Sequence, residues 1–144
     1  MIRIMERNAL ASHLVSELIP EFDDPYPVSE YQQRCSSAVH LSLIAEIEHQ
    51  PAGFKIGYDR FNDGSFYSWM GGVLPKYRNQ GVAEALADYQ ENWAKQRGFS
   101  SIKLKTRKKH NRMINLSLKR GFSIIKEEPA ENPMETRIWL EKKL

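Results

Sequence analysis

The spacing of hydrophobic positions switches between helical and alternating along the chain, and the switches delimit its elements. Leu10, Leu14 and Leu18 recur at helical spacing with Val15 beside them, predicting an amphipathic helix over residues 6–19 that stops before Pro20. Residues 21–28 carry Pro25 and Pro27 and read as irregular. Ser29 opens a Ser-Glu-Tyr-Gln capping-box pattern, which predicts a short helix to about Ser37. The period then becomes two. Val39, Leu41, Leu43, Ala45 and Ile47 alternate with mostly polar neighbours, as in a half-exposed strand. Gln50-Pro51-Ala52-Gly53 reads as a turn into a second strand over 54–61, and Asn62-Asp63-Gly64 as a turn into a third over 66–74. This is an antiparallel meander.

From Gly81 the spacing is helical again. Val82, Leu86, Tyr89 and Trp93 form one stripe, and Gly98 closes the helix. Residues 101–106 read as a strand, and the stretch holding Met113, Ile114, Leu116 and Leu118 as a helix closed by Gly121. Two last strands, 122–126 and 135–140, flank a loop with Pro129 and Pro133. The order is helix, helix, three strands, helix, strand, helix, two strands. A strand-helix-strand unit over 66–106 implies a parallel pair inside a mostly antiparallel sheet, joined by a right-handed crossover. The fold class is mixed α+β.

Composition narrows the function classes. At 144 residues the chain fits one domain and buries a core without staples. Cys35 is the only cysteine, so no intrachain disulfide forms; a reducing compartment, the cytoplasm, is the natural home. Lying in a polar run with no activating partner, Cys35 reads as a bystander. No apolar run reaches the length of a membrane span, and no secretory leader is visible. His13, His40 and His49 lack ligand spacing with any acid or cysteine, so no metal is expected. The net charge of +3 suits an anionic ligand or a nucleic acid without deciding between them. Lys103, Lys105, Arg107, Lys108, Lys109 and Arg112 concentrate that charge.

The most informative stretch runs from Gly71 and Gly72 through Val73-Leu74-Pro75-Lys76-Tyr77-Arg78-Asn79-Gln80-Gly81-Val82-Ala83. A strand ends, the chain turns sharply, and a helix starts. The unpaired amides and positive dipole end of a helix's first turn make an anion site. Gly81 lets a ligand approach the backbone, Ala83 keeps the next turn small, and Arg78 adds a cation. A diphosphate fits this arrangement, but the Lys-Ser/Thr of a P-loop and the glycine spacing of a dinucleotide fingerprint are both missing. The bland alternative is a tight strand-helix connection with a solvated arginine.

With its flanks, this stretch resembles motif A of the GNAT superfamily of N-acetyltransferases, whose signature is Gln/Arg-x-x-Gly-x-Gly/Ala. Met113-Ile114-Asn115-Leu116-Ser117-Leu118-Lys119-Arg120-Gly121-Phe122 resembles their motif B, which ends in Lys-x-Gly-Phe. The resemblance covers residues 39–144; before that the chain matches as helices, and the family's first strand has only Met1 to Met5 to form in. The resemblance implies a GNAT-like fold, with two central parallel strands splayed apart and acetyl-CoA lying between them as co-substrate. It implies that the backbone of Gly71, Gly72 and Val73 pairs with the pantetheine arm. The amides of Asn79, Gln80, Gly81, Val82, Ala83 and Glu84 would hold the diphosphate, with an N–H near Val73 on the thioester oxygen. Placing amine and thioester side by side supplies much of the remaining rate.

Departures from the family pattern fall on the acid–base residues. The position of a common motif B tyrosine, which protonates the departing thiolate, is Ser117. An asparagine that often opens that helix is replaced by His110, with Asn111 adjacent; both are expected beside the coenzyme. Some ribosomal-protein acetyltransferases carry a glutamate base on the fifth strand, where Lys105 stands here. The remaining base candidates are Glu46, Glu48, Tyr58, Tyr67 and Glu21, Glu46 being the preferred one, and Trp69 is a candidate pocket wall. Each of these residues also has a plain structural reading as a solvated or core side chain.

These observations imply an acyl-CoA-dependent N-acyltransferase, moving acetyl to a primary amine of a small molecule or peptide by direct attack in a ternary complex. The alternative is a non-catalytic acyl-CoA sensor of the same fold. A nucleic-acid binder is a weaker third reading, because no aromatic residues interleave the basic cluster. One or two residues of that cluster suit the coenzyme's 3′-phosphate. A homodimer is compatible with this reading, and a membrane partner is not.

Overall fold

A computed structural model describes residues 1–22 and 24–144; Asp23, in the stretch read as irregular, lies outside the described residues. The elements run β1 (Ile2–Glu6), α1 (Ala9–Ser16), α2 (Val28–Cys35), β2 (His40–Ile47), β3 (Gln50–Tyr58), β4 (Ser65–Val73), α3 (Val82–Gln96), β5 (Ser101–Arg107), α4 (Asn111–Lys119), β6 (Ser123–Glu128) and β7 (Arg137–Lys143). The seven strands form one sheet in the order β1-β2-β3-β4-β5-β7-β6. β4 and β5 are parallel and every other pair is antiparallel.

Each face of the sheet buries a separate cluster. Leu41, Leu43, Phe66, Ile102, Leu104 and Leu140 meet Val82, Leu86 and Trp93 of α3 on one face. Ile44, Phe54, Ile56, Tyr67 and Trp69 meet Val15, Ile19, Tyr31 and Cys35 from α1 and α2 on the other. Two-sided burial corrects the half-exposed reading of β2, where Leu41, Ser42, Leu43, Ile44 and Ala45 are all buried.

The α1 face differs from the leucine stripe in the sequence. Leu10, Leu14 and Leu18 are exposed, while Ser12, Val15, Ser16 and Ile19 are buried. Small serines let the helix sit close on the sheet and on α2: Ser12 Oγ lies 2.7 Å from Ser42 Oγ of β2, and Tyr31 Oη of α2 donates to Ser16 Oγ at 3.2 Å. The sequence reading also lacked β1, which takes the residues N-terminal to α1 and pairs with β2 from Ile2↔Ile47 to Glu6↔Leu43.

Two turn assignments shift as well. The β2–β3 turn is Glu48-His49, both at positive φ (51° and 66°), so Gln50 and Pro51 lie within β3. That conformation matches strand twist in a two-residue hairpin. Pro51 is accommodated where the β2–β3 register shifts between Ala45 and Glu46. The capping box of α2 does not form: Pro27 is its N-cap, with no side-chain cap bond.

Candidate active site

The parallel ladder between β4 and β5 is short. It runs from Ser65↔Ser101 to Ser68↔Leu104 and stops, although β4 continues to Val73 and β5 to Arg107. Beyond that point β4 pairs only with β3, and β5 only with β7. A β-bulge at the divergence, between Ile56 and Gly57 of β3, leaves Trp69 as the extra residue of β4. Trp69 and Lys105 are therefore the first residues past the last shared pair.

The backbone beyond the bulge faces the gap. Leu74 N–H donates to Ala52 C=O at 2.8 Å, so by antiparallel alternation the N–H and C=O groups of Val73 and Gly71 point away from β3. The Val73 carbonyl accepts from Arg78 Nε at 3.0 Å, consistent with that direction. At the mouth of the gap α3 begins on Gly81, at φ 85° with no side-chain cap bond. Asn79, also at positive φ (62°), and exposed Gln80 complete the turn. The first amides of α3, from Val82 to Glu84, thus carry no cap at a positive dipole end.

Arg78 is not a free cation. Besides the Val73 carbonyl it bonds Glu21 at 2.8 Å, which ties the segment after α1 to the end of β4. Its guanidinium holds the Glu21 carboxyl below the usual carboxylate range. His110, the N-cap of α4, lies within electrostatic reach of Glu21; burial and then Lys109 and Arg107 lower its proton affinity. Asn111 opens α4 and is exposed.

Between β3, β4, α3 and α4 lies a cavity of about 70 Å³, onto which Gly71, Gly72, Val73, Ala83, Gln90 and Ser117 open. Ser117 is buried, and its hydroxyl donates to the Met113 carbonyl at 2.8 Å. Two groups that sequence reasoning missed also line the cavity. Lys55 reaches in from β3, its ammonium 3.6 Å from where a Cβ on Gly71 would stand. It has no hydrogen-bond or ion-pair partner among the described residues, and burial, reinforced by Arg120, lowers its pKa to about 8. Gln90 is buried with its side-chain amide nitrogen unpartnered. The detectable signal for Lys55 was its place between Gly53 and Gly57, two glycines in a buried strand.

The other sequence candidates scatter. Glu46 sits on β2 opposite Arg3 of β1, with β3 between it and β4, so the structure does not bring it to the gap. Glu48 is in the β2–β3 turn. Tyr58 Oη accepts from Arg34 at 2.9 Å, and burial raises the pKa of Tyr67. Trp69 is buried against Tyr31 and Arg34 on the α1–α2 face. Half of the basic cluster is ion-paired, Lys103 with Asp63 and both Arg107 and Lys109 with Glu135, while Lys105 lies over the Trp139 ring. Buried Cys35 keeps its proton more tightly than a free thiol. Among the described residues no three His, Cys, Asp or Glu side chains gather as metal ligands would, and no helix is long and apolar enough to cross a membrane.

No curated protein matches the chain. Solved structures do. The ribosomal-protein-S18-alanine N-acetyltransferase of Escherichia coli is 18% identical, covering 99% of this chain and 94% of its own, with a TM-score of 0.83. The IAA acetyltransferase of Bacillus cereus is 16% identical over 100% of both chains, with a TM-score of 0.82. A GNAT family acetyltransferase from Elizabethkingia anophelis, solved with acetyl-CoA bound, is 18% identical over 99% and 98%, with a TM-score of 0.76. At such identities the likeness shows the fold. A model of the acetyltransferase (GNAT) family matches residues 8–122, a span that contains both motif blocks and both strands of the gap. The chain belongs to the acetyltransferase (GNAT) family.

Proposed function

We propose that this protein is an acyl-CoA-dependent N-acyltransferase that moves acetyl from acetyl-CoA to a primary amine by direct attack. The observation that carries this reading is the β4–β5 gap, edged by outward-facing backbone at Gly71 and Val73 and ending at the uncapped start of α3. The pantetheine arm lies along β4 as an added strand. The diphosphate sits on the amides of residues 79–84, and a backbone N–H beside Val73 meets the thioester oxygen as charge develops there. His110 and Asn111 stand beside the coenzyme on the α4 side.

In the reaction the amine nitrogen bonds the thioester carbon, the C–S bond breaks, and its electron pair leaves on sulfur. The amine's proton passes to water. The thiolate needs a counter-charge, and Ser117 is a weak donor because its hydrogen is committed to Met113. Lys55 and Gln90 are the free donors on the same cavity, and an ammonium of pKa about 8 is well matched to a thiol. We assign Lys55 that role.

The test is calorimetric titration of coenzyme A into wild type, Gly81→Val and Arg78→Ala. A β-branched residue at the φ of 85° is strained, and Arg78 braces the Val73 carbonyl, so both variants should bind more weakly. Equal affinity in all three proteins would remove the diphosphate site. The bonded state of Ser117 favours one competing reading, a coenzyme sensor without turnover. A broad amine panel decides between them: tight acetyl-CoA binding with no thiol release above background establishes the sensor.

A further inference from the structure

The face of the sheet opposite the cavity, where α1 and α2 pack, carries an unusual charge arrangement around the point of divergence. Arg34 of α2 lays its guanidinium 4.4 Å over the Trp69 ring. Arg60, from the β3–β4 connection, lies 4.9 Å over Tyr67. The ammonium of Lys105 lies 5.2 Å over Trp139. These cations stand in one another's field: after burial, Arg60, Arg137 and Arg34 are what lower the proton affinity of Lys105, with Glu128 opposing.

The carboxylates nearby are already engaged. Glu30 accepts from Arg34 at 2.9 Å, and Asp63 is bound by Ser65 and Lys103. Asp59 accepts from the Asn62 amide, and Glu128 from the Trp139 indole. Arg60 and Lys105 have no carboxylate within ion-pair distance among the described residues. Beside Arg60 opens a basin of about 630 Å³ lined by Arg34, Tyr58 and Arg60 and by the two engaged carboxylates Glu30 and Asp59.

Like charges held together against aromatic walls are costly unless a ligand's negative charge completes them. A cationic site also repels polyamines and polycationic antibiotics. It would further lower the pKa of an amine bound beside Lys105, keeping the nucleophile neutral where no carboxylate base stands.

Resting on the transferase reading, we infer that the acceptor is a small primary amine that also carries a carboxylate, with an apolar or aromatic remainder. The carboxylate pairs with Arg60 and Arg34, the remainder lies against the accessible rings of Phe61 and Trp139 beside Arg60, and the amine reaches the gap past Lys105. This assigns Arg60 and Arg34 to acceptor selection.

Thiol release from acetyl-CoA is measured with aromatic and aliphatic amino acids, each beside its own amide and decarboxylated amine, and with spermidine. The acids should exceed their amides in kcat/KM by roughly 10- to 100-fold, the range of a charge-assisted pair. Arg60→Met should collapse that ratio toward one. Amides equal to acids, spermidine preferred, or a ratio unmoved by Arg60→Met would each overturn the inference. A second arm needs no turnover: an N-acetyl amino acid is titrated into protein saturated with coenzyme A. Binding that Arg60→Met weakens by tenfold or more supports the carboxylate site. Absent binding, or binding indifferent to Arg60, overturns it. If no amine releases thiol while that binding persists, the transferase reading falls and the carboxylate site stands.

Discussion

Lys55 combines a structural penalty with the role proposed for it in catalysis. Its usual pKa of 10.5 holds in the unfolded chain, against about 8 in the fold. Between those values the unfolded state binds more protons, so stability attributable to this residue rises with pH. Below about pH 8 the half-buried ammonium is penalised; above about 10.5 neither state carries it. Lys55→Met is thus expected to be more stable than wild type at pH 7, by a margin that shrinks toward pH 10 in paired urea titrations. A constant margin would mean the ammonium is well solvated. In catalysis the same variant should slow the chemical step by up to about 100-fold, the lower range of general-acid assistance. Ser117→Ala should cost less than about tenfold and leave coenzyme binding almost unchanged, because its hydroxyl already serves the Met113 carbonyl. A larger single-turnover effect at Ser117 than at Lys55 would reverse these roles.

At the scale of elements, glycines decide how closely β3, β4 and their covers approach. A Cβ on Gly53 would stand 2.7 Å from the Gly72 carbonyl oxygen and 3.1 Å from Val82, so β3 and α3 could not both keep their places. A Cβ on Gly72 would meet Ile19 Cδ1 at 2.8 Å, the movable tip of a side chain. Gly53→Ala should therefore cost about 1–3 kcal/mol in urea unfolding, the range of overpacking, and Gly72→Ala less than about 1 kcal/mol. The reverse order would place the tight contact on the α1 side.

Elements with a strong period and a glycine at each end, such as α3, were legible in the sequence, as was the turn that starts α3 on Gly81. Three features were not, each for a physical reason. β1 is too short to show a period and owes its pairing to β2. The Glu48-His49 turn uses residues that rarely take positive φ. The faces of α1 are chosen by hydrogen bonds to Ser42 and Tyr31, which no hydrophobic pattern records. Likewise Lys55 and Gln90 come from separate elements and meet on one cavity only through tertiary structure.

At the scale of the molecule the sheet is joined across its middle by four residue pairs, Ser65–Ser68 with Ser101–Leu104. On the α3–α4 side the two parts are also held by Arg120 and Lys142, which both bond Glu91 and so connect α4 and β7 to α3. Nothing equivalent joins β4 residues 69–73 to β5 residues 105–107; that is where the coenzyme is proposed to lie. A ligand hydrogen-bonded to Gly71 and Val73 and packed against β5 and α4 would supply the missing connection. Its binding should then stabilise the whole molecule rather than one loop. At a coenzyme concentration a hundred times its Kd the linkage is about 2.7 kcal/mol. At about 2–4 °C per kcal/mol for a chain of this size, Tm should rise by about 5–10 °C. Amide hydrogen exchange should slow on both sides of the gap, at Gly71 and Val73 and along β5, as well as at the start of α3. Gly81→Val at the same coenzyme concentration should lose most of the shift. Protection confined to residues 79–84 would mean that the diphosphate docks at the mouth while the pantetheine arm stays outside, and the gap would then have to serve another ligand.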